Sequence, residues 1–590
     1  MIREPHDLDD PGLRDRAVRA ARGLEPFDAL IAGARLVDVA TSEIRAADIG
    51  LVGPLVASVH APGSRGDAAR VVDAAGRFVA PGLIDTHMHV ESSMVTPRRY
   101  AEVVVPQGTT TICWDPHEVG NVAGLAGVRW AIEAGQGLPL RILTLAPSCV
   151  PSAPGLEVAG AEFGGGEMAE MLRWPEIAGV AEVMNMRGVL DRSEPMQSVV
   201  AAGLASGKLV CGHARGLEGA SLQGFAAAGI QSDHEVTSGD DLLAKLRAGF
   251  TVELRGSHDY VLPGAVQALA TLPHLPQTLT ICTDDIFPDD LVAVGGMADV
   301  LRRLIRYGMA PVDAIRAATL NAAMRLGRRD LGLIAPGRRA DLVVLDGLET
   351  LGVERVFASG REVAAAGRLT GGPPGRPADA FHDTMKLAPL TAGDFVLRLP
   401  GDGTAMVNSI FRPRFTEWRD LAVEVRDGAV VLPDDRILMA VIHRHGRRPA
   451  TPRIGILDDW GHWRGALATT VSHDSHNLTV FGRDPADMAA AANAVIAAGG
   501  GMAVAEGGAV TARVALPVCG LLSDVPAGEV AADFAAVKAA AGRIADWQPP
   551  YRTFKAVVGA SLACNPGPHV TDLGLADGST GEIRPLVAAG

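Results

Sequence analysis

The chain has 590 residues, of which 48% are hydrophobic and 21% charged, and its formal net charge is −14. This length exceeds what one hydrophobic core can serve and predicts three or four domains, while the composition is globular and excludes a disordered chain. The negative charge argues against a nucleic-acid-binding surface, which needs clustered Lys and Arg, and is compatible with a small neutral or cationic substrate.

Neither the cysteines nor the first residues indicate export. The six cysteines are scattered and form no CxxC pair, so they predict neither a disulfide framework nor a zinc knuckle. The first residues are polar and lack the apolar core of a signal peptide, and no apolar run is long enough to span a bilayer. We therefore expect a cytoplasmic protein that has no membrane partner.

The first part of the chain predicts a small β domain. Residues 1–25 carry arginines at roughly helical spacing and predict a helical lead-in. Short strand-like runs follow from Ala29, and similar runs recur at 340–367. We expect residues 26–80 and 330–370 to form one β-sandwich domain from both sides of an inserted domain. The alternative is that these runs are further strands of the central domain.

The central region, residues 81–329, alternates strand-like runs with helix-like segments. Its eight runs are FVAPGLIDTHMH, TTTICWD, LRILTLAPS, GVAEVMN, KLVCGHA, GIQSDHE, TVELRG and LTICTDD. Eightfold alternation predicts a parallel sheet closed into a TIM-like (β/α)₈ barrel, whose active site lies at the C-terminal ends of the strands. Polar residues collect at those ends, which a purely structural protein would not need.

The last part of the chain predicts a further domain. TGGPPGRPADA (370–380) has the Pro- and Gly-rich composition of a linker. Residues 385–590 combine strand-like runs with an Ala-rich helical stretch and predict a C-terminal α/β domain. Its densest polar motif is SHDSHN, at 472–477. This loop either closes over the barrel mouth as a lid or forms a hydrogen-bonded turn that stabilises its own domain.

The strand ends carry a candidate metal site. His87 and His89 are two residues apart at the end of the first strand, so their side chains point to the same face. Four later strands each contribute one more donor; these are Glu182, His213, His234 and Asp284. Four imidazoles and two carboxylates are sufficient for two divalent ions with a bridging oxygen ligand.

A pair of divalent ions would favour hydrolysis. A bound ion lowers the pKa of its water from 15.7 toward about 7, and an acid beside that water can move its proton to a leaving group. Asp284 is the candidate for this role because it is a carboxylate at the tip of the last strand. Taken alone, Asp284 could also be an ordinary loop residue, since Asp is common before turns.

These motifs resemble those of the metal-dependent amidohydrolase superfamily and, within it, the adenine deaminase family. The segments that carry the resemblance are DTHMHVESSMVTP (85–97), DPHEVGNVAG (115–124), PSCVPS (147–152), GVAEVMN (179–185), GHARGL (212–217), SDHE (232–235), CTDD (282–285), ATLNAA (318–323), IAPGRRADLVVL (334–345) and SHDSHN (472–477). The superfamily shares His-x-His, whereas ESSMVTP, DPHE and SDHE are particular to this family. The resemblance therefore covers most of the chain.

The resemblance implies hydrolysis of adenine to hypoxanthine and ammonia with two divalent ions, Mn²⁺ or Fe²⁺, although the ligands are also compatible with Zn²⁺. It implies that Glu182 bridges the ions, which suits a fourth strand that contains no lysine, since many relatives bridge with a carbamylated lysine there. Glu235 is the candidate acid for a ring nitrogen, and His117 and Glu118 are the alternatives. For that pair, the start of a helix is the competing interpretation.

Further polar residues are predicted to lie beside the metal ligands or the substrate; these are Glu91, Ser92, Glu118, His473 and His476. Two features depart from the family pattern. Strand seven has Arg255-Gly256-Ser257 where an Arg-Glu-Gly-Ser motif is expected, and the N-terminal lead-in is longer than expected. Both indicate a distinct branch of the family.

Three functions remain open from the sequence. The first is adenine deamination, and the second is metal-dependent hydrolysis of another aminopurine, a pyrimidine or a cyclic amide. The third is a non-enzymatic scaffold, which the complete ligand set argues against. The absence of a PCxxC motif excludes the zinc deaminases that use one. We expect a homo-oligomer, which is the usual state of such enzymes.

Overall fold

The computed structural model describes residues 7–371, 375, 378–546 and 553–587. The first six residues of the predicted lead-in and part of the predicted linker lie outside the described residues. The described chain begins with helix α1 (Pro11–Ala21), where the Asp10 side chain accepts a hydrogen bond from Leu13 N and caps the helix. The strands that follow are β1 Phe27–Asp38, β2 Glu43–Val52, β3 Leu55–His60, β4 Ala68–Asp73 and β5 Phe78–Pro81.

The apolar run that the sequence predicts as one strand, FVAPGLIDTHMH, is divided between two sheets. β5 ends at Pro81, and β6 (Leu83–Met88) pairs with different neighbours. Gly82 stands at the division, where a Cβ atom would lie 2.3 Å from the Thr110 hydroxyl. Only glycine fits there, so this position allows the chain to pass from the first sheet into the parallel strands.

The central region contains the remaining parallel strands, β7 Thr109–Trp114, β8 Arg141–Ala146, β9 Ile177–Val183, β10 Leu209–Gly212, β11 Ser232–Asp233, β12 Thr251–Arg255 and β13 Leu279–Cys282. Its helices are α2 Pro97–Val104, α3 His117–Ala134, α4 Gly165–Arg173, α5 Met186–Leu190, α6 Met196–Ser206, α7 Gly219–Ala227, α8 Gly239–Arg247, α9 Leu262–Leu269, α10 Pro288–Ala293, α11 Met297–Arg306, α12 Pro311–Arg316 and α13 Ala322–Arg325. Each of the eight predicted runs coincides with one of the strands β6 to β13, although β9 begins two residues before its run.

The parallel strands form a curled arrangement. β6 to β10 make one parallel sheet in chain order, and β11 to β13 make another. Gln231 N donates to Val210 O at 2.9 Å between the two sheets. At the other side, Asp284 N donates to His87 O at 3.1 Å. The residues of β6, β7 and β9 are buried along their whole length, as expected for parallel strands covered on both faces.

The chain then returns to the first sheet through β14 Leu342–Leu345, β15 Val353–Ala358, β16 Arg361–Ala365 and β17 Arg368–Leu369. β14 pairs antiparallel with β5, so strands from both sides of the central region are hydrogen-bonded in one sheet of nine strands. The order is β17-β16-β15-β14-β5-β1-β2-β3, and β4 pairs with β1.

The C-terminal region contains β18 Gly403–Phe411, β19 Glu417–Arg426, β20 Ala429–Val431, β21 Arg436–Ile442, β22 Arg453–Asp458, β23 His462–Trp463, β24 Ala466–Thr469, β25 Leu478–Gly482, α14 Pro485–Ala497, β26 Gly501–Glu506, β27 Ala509–Ala515, α15 Ala527–Ile544, β28 Ala545–Asp546, α16 Thr553–Val558, β29 Pro568–Thr571, β30 Gly574–Asp577 and β31 Glu582–Arg584. Nine of these strands form one sheet in the order β20-β19-β18-β22-β21-β25-β24-β26-β27.

The C-terminal region packs directly on the central region. Asp524 accepts hydrogen bonds from Thr96 and from both Nε and Nη2 of Arg98. The Phe287 and Phe534 rings lie 5.3 Å apart between the two regions. These contacts join the C-terminal region to the loop before α2, to α2 and to the residue before α10. Within the described part of the chain, no helix combines the length and apolar character needed to cross a membrane.

Candidate metal centre and active site

The six predicted metal ligands lie together at the C-terminal ends of the parallel strands. They come from five strands or from the residues directly after them: His87 and His89 (β6), Glu182 (β9), His213 (β10), His234 (β11) and Asp284 (β13). None of the six is more than 7% exposed to solvent. The fold therefore brings together donors that are almost 200 residues apart in sequence.

Glu182 lies at the centre of this cluster. Its Oε1 is 3.4 Å from His89 Nε2 and 3.7 Å from His87 Nε2. Its Oε2 is 2.6 Å from His213 Nδ1 and 3.2 Å from His234 Nε2. The two oxygens face two different pairs of imidazoles, which is the arrangement that a carboxylate bridging two ions requires.

Asp284 closes the cluster opposite Glu182. Its Oδ1 lies 3.3 Å from His89 Nε2 and 3.5 Å from His87 Nε2, while its Oδ2 accepts a hydrogen bond from Ser257 at 2.9 Å. Arg255 Nη2 lies 2.5 Å from the same Oδ2. The backbone of Asp284 has a φ of +57°, a conformation that Asp tolerates better than most residues. One oxygen therefore faces the imidazoles, and the other is fixed by Arg255 and Ser257.

The cluster fits divalent ions better than it fits direct hydrogen bonds. Apart from the contact of His213, the distances from the histidine nitrogens to Glu182 and Asp284 are 3.2–3.7 Å. Donors at about 2.1 Å from a tetrahedral ion are about 3.4 Å apart, whereas an N–H···O hydrogen bond is about 2.7–3.2 Å long. Among the described residues, both ring nitrogens of His87 are buried without a hydrogen-bond partner.

The charges of the two carboxylates also suit metal binding. Burial raises the pKa of Glu182, but the imidazoles of His234 and His213 outweigh burial and hold it well below its usual value. Burial likewise raises the pKa of Asp284, and Arg255 with His87 outweighs it. Both groups are therefore ionised, which is the state that a metal ligand needs.

His117 lies beside the cluster and faces two ways. Its Nδ1 is 3.1 Å from Asp115 Oδ2 and 3.7 Å from Glu182 Oε1. Its Nε2 points to the C-terminal region, where Asp474 Oδ1 is 3.6 Å away. His117 is also the first residue of α3, so the interpretation as a helix start describes its place in the fold.

Glu235 lies between two arginines. Arg215 and Arg255 both donate hydrogen bonds to its carboxylate, and Arg255 joins it to Asp284. Burial raises the pKa of Glu235, but Arg255, with His213 and Arg215, outweighs burial and holds it well below its usual value. Glu235 is therefore a carboxylate in this structure, so a proton that it gave to a substrate would first have to reach it.

Glu91, Ser92 and Glu118 lie close to the start of α3. Glu91 accepts hydrogen bonds from Trp114 Nε1 at 2.7 Å and from Val119 N at 3.2 Å. Ser92 donates to Asp285 at 2.5 Å, and its hydroxyl is 3.5 Å from Glu118. These bonds fix the start of α3, where His117 lies. Burial, the largest influence, raises the pKa of Glu118 to about 7.

The loop 472–477 contacts both regions. His473 Nδ1 and His476 Nε2 each lie 3.6 Å from a different oxygen of Glu118. Within the C-terminal region, Ser472 Oγ lies within hydrogen-bond distance of Thr479 and of Ser561. The structure thus places the loop across the strand ends and also bonds it inside its own domain, and movement of this loop as a lid stays a prediction.

These groups border one cavity of about 590 Å³. The barrel side contributes five of the six predicted metal ligands, the exception being His87, together with His117 and Glu235. The C-terminal region contributes Arg414, Phe415, Trp460, His473 and Asp474. This volume lies within the range of about 300–1,000 Å³ that is usual for small-molecule sites.

Four contributors to the site were not predicted from the sequence. Asp85 accepts hydrogen bonds from the backbone and the hydroxyl of Thr283 and so positions the residue before Asp284. Arg215 and Arg255 hold Glu235, and Asp474 reaches His117. Asp85 and Asp474 lie inside motifs that were recognised, so their position was visible and only their contacts were not. Arginines carry no comparable signal, because they are common on surfaces.

Two protein-family models match this chain. Residues 78–363 match the model of the Amidohydrolase family, and residues 413–582 match the model of the Adenine deaminase C-terminal domain. Among solved structures, N-acetyl-D-glucosamine-6-phosphate deacetylase from Mycobacterium smegmatis is 20% identical with a TM-score of 0.44, and the match covers 57% of this chain and 100% of that one.

Two relatives that match nearly the whole chain indicate the family more specifically. "Adenine deaminase 2" of Rhizobium meliloti (strain 1021) is 62% identical over 583 residues, which is 99% of this chain and 98% of the relative. "Adenine deaminase" of Klebsiella pneumoniae (strain 342) is 56% identical over 582 residues, which is 98% of this chain and 96% of the relative. The chain belongs to the adenine deaminase family.

Proposed function

We propose that this chain catalyses the hydrolysis of adenine to hypoxanthine and ammonia. The observation that carries the proposal is the cluster of four imidazoles around the two oxygens of Glu182, in a cavity large enough for a small molecule. The full-length likeness to proteins named adenine deaminase supports the choice of substrate.

The cluster would hold two divalent ions. His87, His89 and Asp284 would ligate one ion, His213 and His234 the other, and Glu182 would bridge them. Bound there, the ions would supply a Lewis acid and a lowered pKa for water. Mn²⁺ or Fe²⁺ is the proposed occupant, because imidazole and carboxylate donors without thiolate suit both; Zn²⁺ accepts the same donors. We also propose that the eight parallel strands close into one barrel, which the hydrogen bonds between the two parallel sheets support.

Asp284 and Glu235 would handle the protons of the reaction. Water adds to C6 of adenine, and Asp284, whose Oδ1 faces the cluster, accepts the proton that the water gives up. C6 then loses its amino group as ammonia, which requires that proton to reach the leaving nitrogen. Glu235 stays our proposal for the group that exchanges a proton with a ring nitrogen. Since the arginines keep it ionised, Glu235 would first take a proton, and the second proton of the added water, which leaves as the C6 oxygen becomes a carbonyl, balances that transfer.

Arg255 would couple these two carboxylates. Its guanidinium contacts both Glu235 and Asp284, so the two groups keep a fixed separation across the cavity. The structure therefore supports a site in which a planar substrate lies between the imidazole cluster and the arginine-held Glu235. His117, the alternative proton donor, lies on the opposite side of Glu182 from His213.

Ammonia release tests the proposal directly. The purified chain, loaded with Mn²⁺ or Fe²⁺, is incubated separately with adenine, other aminopurines, aminopyrimidines and cyclic amides. We expect ammonia from adenine at the highest kcat/KM, with hypoxanthine formed in equal amount. Ammonia from another amine and none from adenine would transfer the activity to that substrate, and a folded protein that binds no divalent metal would favour a scaffold.

A further inference from the structure

We propose that this chain has a separate divalent-cation site between the barrel and the C-terminal domain, with His117, His473 and Asp474 as its ligands. The three ligand atoms lie within 4.8 Å of one another. Asp474 Oδ1 is 3.4 Å from His473 Nδ1 and 3.6 Å from His117 Nε2. These separations are too long for hydrogen bonds and close to the value of about 3.4 Å between donors around a tetrahedral ion.

One oxygen of the Asp474 carboxylate lacks the partner that burial normally requires. Asp474 is 2% exposed, and within the described residues its Oδ2 has no hydrogen-bond partner. An ionised carboxylate buried in this way is costly unless a positive charge lies beside it. Without an ion, the imidazoles at 3.4 and 3.6 Å would have to carry that charge themselves, whereas a cation between the carboxylate and the two neutral rings would satisfy all three.

The orientation of the His117 ring supports ligation through Nε2. Its Nδ1 lies at hydrogen-bond distance from the Asp115 carboxylate, 3.1 Å away, and therefore donates its proton there. A neutral ring that donates from Nδ1 has a lone pair at Nε2, which is the tautomer that a carboxylate favours in a metal-binding histidine. Within the described residues, Nε2 is buried and has no hydrogen-bond partner. His117 therefore lies ready for a ligand on the side of Asp474.

Glu118, the second residue of α3, faces the same nitrogen of His473. Its Oε1 lies 3.6 Å from His473 Nδ1, and its buried Oε2 has no hydrogen-bond partner among the described residues. Imidazole and carboxylate donors in a tetrahedral arrangement suit Zn²⁺ well. The site would link the start of α3 to the loop between β24 and β25. An ion bound there would therefore stabilise the contact between the C-terminal domain and the central region beside the cavity.

Metal counting with zinc tests the site. The full chain is stripped with a chelator, dialysed against excess ZnCl₂ and analysed for zinc per chain. We expect three equivalents in the unaltered protein and two in His473→Gln and in Asp474→Asn. The matched control is His462→Gln, an exposed histidine of the same domain, which should keep three. Two equivalents in the unaltered protein, or three in His473→Gln, would overturn the proposal.

Anomalous diffraction at the zinc edge decides the matter without any variant. We expect a peak bounded by His117 Nε2, His473 Nδ1 and Asp474, separate from density around Glu182. Density around Glu182 with none between these three side chains would reject the site and leave the proposed reaction untouched. The unfolding temperature gives a further readout, since added zinc should raise it more in the unaltered protein than in His473→Gln.

Discussion

Two buried carboxylates on the same cavity, Glu182 and Glu235, have opposite kinds of neighbours. Imidazoles surround Glu182, whereas Arg215 and Arg255 surround Glu235. An imidazole can present a lone pair to a metal, but a guanidinium carries a permanent charge and cannot ligate one. The first carboxylate therefore faces side chains that can share a metal ion with it, and the second faces permanent cations. We therefore propose that Glu182 binds metal and that Glu235 only exchanges protons, whereas Asp284, which faces His87 as well as Arg255, does both.

Glu182→Gln should have the largest effect, because it removes the charge and one of the two ligating oxygens at the centre of the cluster. We expect metal bound around this cluster to fall from two ions per chain to one or none, and adenine turnover to fall by about 10³- to 10⁴-fold. The control is Glu176→Gln, a partly exposed glutamate shortly before β9 that pairs with Arg129. Normal metal content in Glu182→Gln would show that Glu182 is not needed to bind the ions and would remove the contrast with Glu235.

Glu235→Gln should separate loss of proton transfer from loss of metal binding. The amide keeps the size of the side chain but cannot carry a proton between substrate and solvent. We expect kcat to fall by about 10²- to 10⁴-fold while the two ions of the cluster are retained. Metal analysis beside steady-state kinetics checks this result. If Glu235→Gln bound one ion fewer, Glu235 would itself take part in metal binding, and the contrast with Glu182 would be wrong.

Arg255→Lys tests whether the joint contact to Glu235 and Asp284 matters. A lysine keeps the charge, but its single ammonium group cannot reach both carboxylates with the geometry of a guanidinium fork. We expect kcat/KM to fall by about 10- to 100-fold, and Arg255→Met to fall further. Arg302→Lys, in helix α11 outside the cavity, is the control and should match the unaltered protein. Equal activity of Arg255→Lys and the unaltered protein would show that charge alone suffices.

Ser257→Ala should have the smallest effect. Its hydroxyl accepts from Arg255 Nε at 2.7 Å and donates to Asp284 at 2.9 Å. Losing these contacts leaves the main ion pair of Arg255 and Asp284 intact, so we expect kcat to fall about three- to tenfold. A loss as large as that of Glu235→Gln would mean that the hydroxyl acts on the substrate itself.

The metal ligands around Glu182 could be predicted from the sequence, unlike the arginines around Glu235. The alternation of strands and helices predicted where the strand ends lie, and His-x-His at the first of them pointed to a metal. All six predicted ligands lie in one cluster, because parallel strands bring their C-terminal ends to one side of the fold. Their roles as ligands are proposals, but their convergence is observed.

The two arginines that contact Glu235 were not predicted from the sequence. Arg215 lies in a recognised motif, but arginines are common and their side chains are long, so sequence spacing does not indicate which carboxylate they reach. Arg255 appeared only as part of a departure from the family pattern. The same limit applies to Asp474, whose contact with His117 spans more than 350 residues of chain. The division of FVAPGLIDTHMH between two sheets was also missed, since periodicity cannot reveal that Gly82 faces Thr110.

The position of bound manganese tests the central claim most directly. Crystals of the Mn²⁺-loaded protein, measured at the manganese edge, should show two anomalous peaks on opposite sides of the Glu182 carboxylate. One peak should lie beside Oε1 with His87, His89 and Asp284, and the other beside Oε2 with His213 and His234. A single peak, or manganese bound away from Glu182, would contradict the account.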